Sequence, residues 1–319
     1  TYPAMGLADA REAAVRQSAI IYDGVDPADE RDKRREAPTL SAVCDQYMRE
    51  YARPRKRSAD RDQDLIDRFV KPQLGGSRAS EVGRQDIRGL LRKVEAEAGG
   101  VQSNRVLALI KRIYSWSVDL EIVPAHPAAG LKPLHKETPR DRVYTDAEIR
   151  ALWKVYESET SVGGIALRLI ALTGQRPGEV LQMRADQVEG RWWTIPASVA
   201  KNGLSHRVYL TDLAMELIKP RLEQGWICKG RGDGPVGNIQ KAIERTRKQA
   251  GIVDGHANDW RRTAGTRMAS LGVSREVVGR VLNHADPGVT AVYDRHSYDA
   301  EKRKALKRWE KELRRIVAA

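Results

Sequence analysis

The chain has 319 residues, enough for about two domains of ordinary size, and 41% hydrophobic against 31% charged residues describe a chain that folds around a core. Lys+Arg 56 against Asp+Glu 43 gives a formal net charge of +13, which points to a polyanionic partner, nucleic acid before an anionic membrane surface. No apolar run reaches the roughly 18 residues of a membrane helix, no signal peptide opens the chain, and Cys44 and Cys228 are too few for a disulfide framework or a zinc site, so a reducing, cytoplasmic setting is expected.

Residues 1–38 read as a helix and a linker. Leu7, Ala10, Ala13, Ala14 and residues 19–21 follow a helical period, and Gly24-Val-Asp-Pro27 breaks it. The piece is too short for a domain, and its start at Thr1 rather than Met reads as the remnant of a larger N-terminal part. Residues 39–125 read as an all-helical unit. Thr39 or Ser41 caps a helix ending near Tyr51. The basic run Arg53, Arg55, Lys56 and Arg57 follows, and Ser58 caps a second helix expected to run to about Val70, stopped by Pro72 and Gly75-Gly76. Further helices are expected over 84–98 and 103–120, the latter with Val106, Leu109, Ile110, Ile113 and Trp116 along one side. Residues 126–140, with Pro127, Gly130, Pro133 and Pro139, read as an interdomain linker.

Residues 141–319 read as a mixed unit. Thr145 and Glu148 form a capping box. Residues 191–195 and 207–210 alternate as strands around a loop with Asn202-Gly203 at its tip, a hairpin signal. Nearly everything after Leu213 reads helical: about 213–223, 236–250, 259–271, 274–283, 287–293 and 299–316. The expected fold class is mainly α with a small β-sheet.

The chemistry-bearing residues form no ATP-binding phosphate loop and no zinc-ligand spacing. What remains is a set of cations in the second unit: Arg176 at a turn entering a helix, Lys201 in the hairpin, and Arg261-Arg262 at a helix start. His284 follows, then Tyr293 nine residues later. Taken singly, each has an ordinary reading, a solvated charge or a packing aromatic.

In order they carry more. Thr173-Gly-Gln-Arg-Pro-Gly-Glu-Val180, the hairpin Lys201, Asn258-Asp-Trp-Arg261, Leu282-Asn-His284 and Tyr293 resemble the tyrosine recombinases, in particular the integrases of phages and integrative elements. The family pattern is Thr-Gly-x-Arg-x-x-Glu, a hairpin Lys, His-x-x-Arg, Leu-Gly-His and a late Tyr. Residues 39–125, with Asn104-Arg105 and Trp116, resemble the family's helical core-binding domain; residues 1–38 resemble the end of its arm-binding domain; residues 141–319 resemble its catalytic domain.

The resemblance implies a reaction in which a tyrosine attacks the scissile DNA phosphate and forms a 3′-phosphotyrosine, without ATP, cofactor or metal. It assigns phosphate binding to Arg176 and Arg261, the general acid to Lys201, a phosphate hydrogen bond to His284 and the nucleophile to Tyr293, with Glu179 orienting Arg176. Asn258 stands where the family has His. Asn can donate to phosphate but cannot shuttle a proton. Tyr298 is the alternative nucleophile. Arg53, Arg55, Lys56, Arg57 and Arg105 are expected on DNA phosphates, which fix register rather than read sequence.

The implied partners are double-stranded attachment sites clamped between the two domains and other copies of the chain, four acting on two duplexes. A directionality or DNA-bending factor is a further candidate; a membrane is not. The apolar stripe Ala305, Leu306, Trp309 and Leu313 in the basic last helix is expected to contact a neighbouring protomer. Two alternatives stay open: a topoisomerase-like enzyme that nicks and reseals DNA, and a DNA-binding regulator weakened in catalysis.

Overall fold

A computed structural model describes residues 6–22, 26, 32, 36–284 and 296–319. Gly24, Val25, Pro27, the helix expected at 287–293 and Tyr293 lie outside the described residues. The chain divides into two units, Thr1–Pro139 and Arg140–Ala319. Each has its own cluster of buried apolar side chains.

In the first unit the Thr39 side chain accepts the Ala42 N–H (3.2 Å) and starts the helix Leu40–Tyr47. The end expected near Val70 is passed, Pro72 included, and the helix stops before Gly75, the later of the expected stops. Ile66–Val70 is a π-helical turn, and a short α-helical segment with proline near its start, Lys71–Leu74, follows it. The same arrangement carries Met48–Ala52 into Arg53–Arg55 and across Pro54. Proline lacks an N–H, and its ring collides with the carbonyl four residues back. A π turn widens the helix just before the ring, so the helix continues. Ser58 makes no side-chain cap. The helices Arg84–Ala98 and Gly100–Asp119 meet at Gly99, whose φ of 85° reverses the chain. Ile87, Leu90, Leu91 and Val94 of the first bury with Val106, Leu107, Ile110 and Ile113 of the second.

Residues 121–145 carry no helix or strand. The proline-rich stretch is nonetheless packed on the first unit. Ala128 and Leu131 are buried, and Asn104 Nδ2 donates to the His135 carbonyl (2.8 Å) and to Glu137 (3.0 Å). The helix Leu7–Tyr22 leaves Leu7, Val15, Ile21 and Tyr22 exposed.

In the second unit the Thr145–Glu148 capping box opens the helix Asp146–Ser158. The helix Val162–Thr173 is buried along nearly all its length and ends at Gly174. Three antiparallel strands follow: β1 (Val188–Glu189), β2 (Trp192–Ile195) and β3 (His206–Tyr209), in the order β1-β2-β3 with Trp192 opposite Tyr209 and Ile195 opposite His206. Asn202-Gly203 lies inside the longer connection 196–205 rather than forming a two-residue hairpin turn.

The last helix, Asp299–Ala318, corrects one expectation. Ala305, Leu306, Trp309 and Leu313 do not face a neighbouring protomer; they are buried in the core of their own unit. Trp309 Nε1 donates to the Ala171 carbonyl (2.8 Å), and Glu310 accepts the Leu213 N–H (3.1 Å). Both polar ties fix the helix in cis. Among the described residues no helix is long and apolar enough to cross a membrane.

Candidate active site

The site is organised by the end of one short helix. Arg275–Val281 stops at Leu282, leaving carbonyls of its last turn without partners inside the helix. Side chains from four other elements satisfy three carbonyls in succession. Gln175 Nε2 (2.8 Å) and His206 Nε2 (3.1 Å) reach the Val281 oxygen. Arg261 Nη2 donates to the Leu282 oxygen. Arg176 Nη2 (3.3 Å) and Asn202 Nδ2 (3.4 Å) reach the Asn283 oxygen. The negative end of the helix thus holds both guanidiniums in place, and His284 follows directly.

Close packing makes this convergence possible. A Cβ on Gly174 would stand 3.0 Å from Leu282 Cδ2 and 3.3 Å from Ala264 Cβ; one on Gly265 would stand 3.0 Å from Leu282 Cδ1. Gly174 also has φ 66°, the left-handed turn that ends its helix and leads to Arg176. Arg261 Nη1 donates to the Gly174 carbonyl (3.0 Å), tying the two arginine-bearing elements together.

Arg176 is itself the N-cap of Pro177–Leu181. Glu179, buried, accepts Arg176 Nη1 (3.0 Å) and the Arg176 N–H (3.3 Å), and also the Lys201 N–H (3.3 Å). One carboxylate therefore orients the guanidinium and anchors the loop backbone at Lys201. Lys201 itself is exposed.

The electrostatics follow from burial among like charges. Desolvation, and then Arg176, bring the Arg261 pKa down to about 10, so the group stays charged at neutral pH. Desolvation, with Arg261 and Arg176 nearby, also lowers the His284 pKa and favours neutral imidazole. His206 is buried, and its pKa falls to about 3 through desolvation and then Lys302. Its Nε2 faces a carbonyl, which can only accept, so that nitrogen carries the proton.

Asn258 sits in the first turn of the helix Ala257–Ser270. It lines a cleft of about 1120 Å³ together with Arg261, Arg262, Arg275, Arg280 and His284. Asp259, fully buried next to it, accepts Arg140 Nε (2.9 Å) and Nη2 (2.7 Å), Arg262 Nη1 (3.0 Å) and the His256 N–H (2.8 Å). Burial alone would raise its pKa; the bonds from Arg140 and His256 bring it below the ordinary value. Asp259 therefore fixes the start of the helix that presents Asn258 and Arg261.

The expected site residues Arg176, Glu179, Lys201, Asn258, Arg261 and His284 are all described, and hydrogen bonds or the cleft lining join them. Tyr293 lies outside the described residues. Tyr298 is at the N-cap of the last helix, its hydroxyl donating to Glu276 Oε1 (2.7 Å) and its ring under the Arg280 guanidinium (4.9 Å). Sequence reading missed Gln175, His206, Asn202, Asn283 and the Arg140–Asp259 pair. Asn283 alone carried a signal: it replaces the Gly of Leu-Gly-His and has φ 50°.

The cations expected on DNA in the first unit have intramolecular neighbours of several kinds. Lys56 pairs with the buried Asp62, and Arg55 stacks over the Tyr51 ring (5.0 Å). Arg53 stands 3.7 Å from Asp60, and Arg57 is exposed. A groove of about 730 Å³ gathers Lys56 and Arg105 with Arg61, Arg68 and Arg112, which the run at 53–57 did not announce.

Residues 142–300 match the phage integrase family. The chain is 26% identical over 337 residues to the prophage integrase IntZ of Escherichia coli K12, covering 99% of the chain and 83% of that protein. It is 23% identical to the integrase of Shigella phage Sf6, covering 97% and 83%. Among solved structures, the lambda integrase tetramer bound to a Holliday junction is similar at TM-score 0.69 and 16% identity, over 89% of each chain. The Tn1549 transposon integrase in complex with circular intermediate DNA is similar at TM-score 0.61 and 11% identity, over 84% of this chain and 98% of that one.

Proposed function

The chain belongs to the phage integrase family of tyrosine recombinases, and from that membership we propose that it cuts and rejoins double-stranded DNA attachment sites to move a genetic element. The observation that carries this reading is the convergence of Arg176 and Arg261 on the carbonyls of Asn283 and Leu282, directly before His284, with Lys201 tied to the same carboxylate as Arg176.

The Tyr293 oxygen attacks the scissile phosphorus. Its O–P bond forms as the bond from phosphorus to the 5′ oxygen breaks, and the phenol proton passes to water. Lys201 gives a proton to the departing 5′ oxygen. The products are a 3′-phosphotyrosine and a free 5′-hydroxyl. One phosphodiester replaces another, so no external energy source is required. A second 5′-hydroxyl, from the partner duplex, reverses the steps and completes the strand exchange. Four copies on two duplexes provide the strands in pairs.

The arginines act on the charge that builds up on the phosphate oxygens. A guanidinium holds two oxygens in a planar fork and keeps its charge. Arg176 and Arg261 are held by protein carbonyls and Glu179, so little reorganisation is needed when the phosphate arrives. His284, favoured neutral, offers a ring N–H to a phosphate oxygen. Asn258 contributes its amide N–H, without proton transfer. Restoring the family's residue with Asn258→His is expected to keep or raise the single-turnover cleavage rate; a large fall would show that Asn258 does not occupy that position.

The first unit holds the duplex through its basic groove. Arg105, paired with Glu137 at 3.3 Å, remains largely exposed. Arg105→Ala is expected to weaken binding similarly for all sequences and to reduce the slope of log affinity against log salt by about one. Titrations across salt concentration measure both effects.

The reading as a whole is tested with a nicked duplex spanning the junction between the element and its host. A protein–DNA adduct that survives denaturant supports it. Adduct without exchange into a second duplex would favour the topoisomerase-like reading, and binding without adduct the regulator.

A further inference from the structure

The loop 196–205 carries Lys201 at an exposed position, yet its chain is fastened immediately on either side of the lysine side chain. The Lys201 N–H bonds to Glu179. The next residue, Asn202, forms a reciprocal amide pair with Asn283: Asn202 Nδ2 donates to Asn283 Oδ1 (2.9 Å), and Asn283 Nδ2 donates to Asn202 Oδ1 (3.3 Å). Asn202 Nδ2 also lies 3.4 Å from the Asn283 carbonyl oxygen that Arg176 holds. Gly203, at φ 73°, turns the chain away just afterwards, and the Leu204 N–H bonds back to Asn202 Oδ1 (3.2 Å).

Asn283 occupies this position at a conformational cost. Its φ of 50° is left-handed, a region that glycine enters freely and asparagine more readily than other residues with a side chain. Its side chain is almost fully buried, and an unpaired amide there would be unfavourable. The pair with Asn202 meets that need with a matched donor and acceptor on each side. Both groups are neutral, so the contact holds whatever the charge on His284 or Lys201.

We propose that Asn202 and Asn283 form a clasp that docks the Lys201 loop against the arginine-bearing carbonyls before DNA binds. The inference rests on the reading of Lys201 as the proton donor. Both asparagines are positioning residues: they touch neither phosphate nor leaving group and act by restricting where Lys201 can reach. A loop already docked has less freedom to lose when the phosphate arrives.

Asn283→Gly removes the amide and keeps the backbone conformation, so it isolates the clasp. Amide exchange at residues 201–204 is expected to speed up in the free protein. Cleavage of the nicked duplex is expected to slow about tenfold, the scale of one lost hydrogen-bonded contact, with DNA affinity unchanged. Asn202→Ala reproduces both effects, and the double variant is no slower than either alone. The discriminating readout is a duplex with sulfur in place of the bridging 5′ oxygen at the scissile phosphate. A thiolate leaves without a proton, so Asn283→Gly and Lys201→Ala should both recover the wild-type rate on it. Unchanged exchange at 201–204 overturns the clasp. So does slow cleavage by Asn283→Gly that persists on the sulfur substrate while Lys201→Ala recovers. If Lys201→Ala does not recover, the assignment of Lys201 as proton donor fails, and the proposal falls with it.

Discussion

Tyr293→Phe should abolish the covalent protein–DNA product while leaving DNA binding intact. The variant lacks only the oxygen that bonds to phosphorus, so the loss should span several orders of magnitude, as for removal of any covalent nucleophile. Tyr298→Phe supplies the contrast. The Tyr298 hydroxyl is already bonded to Glu276, and its ring is covered by Arg280 at the base of the last helix. That variant should keep adduct formation within a few fold. Denaturing gels measure the adduct and mobility shifts the binding; persistent adduct in Tyr293→Phe would transfer the nucleophile to Tyr298.

Arg261→Lys is expected to lower the cleavage rate by about 10²–10³-fold, the cost of removing one fixed oxyanion donor. Arg261 uses one nitrogen for the Gly174 carbonyl and another for that of Leu282, a geometry only a planar fork provides. A lysine cannot span both carbonyls and still present a donor to phosphate. Its ammonium would also be buried beside Arg176, which disfavours the charge the reaction needs. Binding should change far less than rate, because Arg261 is one of 56 lysines and arginines in the chain. Single-turnover cleavage and equilibrium binding measured together separate the two; a thermal melt confirms that the variant is folded. Equal losses in rate and affinity would mean that Arg261 binds DNA without favouring the transition state.

What was legible in the sequence depended on range. The Thr145–Glu148 capping box and the Thr39 cap are local chemistry, and they start helices where expected. The motif residues could be named because each lies in a short string, and Arg176, Arg261 and His284 do come together. The bonds that bring them together were not legible. Gln175 and His206 reach Val281 from far along the chain, and no spacing announces it. The end near Val70 came too early because a proline is a stop only if the preceding turn keeps its α geometry; here that turn is π-helical, and the helix runs on to the glycines at 75–76 that were also expected to stop it. The stripe on the last helix was read as a contact with a neighbouring protomer, but periodicity says only that a face is covered, not by what; its own unit covers it. Charge counting likewise overlooked partners: Lys56 faces Asp62, and the groove both line also gathers Arg61, Arg68 and Arg112, scattered in sequence.

Strand exchange through a covalent tyrosine link can be read in one incubation. Two duplexes of different length, each carrying the attachment site and labelled at one end, are mixed with the protein, and the products are resolved before and after protease digestion. Recombinant strands of hybrid length are expected, together with protein attached to 3′ ends beside free 5′-hydroxyls. Hybrid strands absent in the presence of bound protein, or protein attached to 5′ ends, would contradict this mechanism.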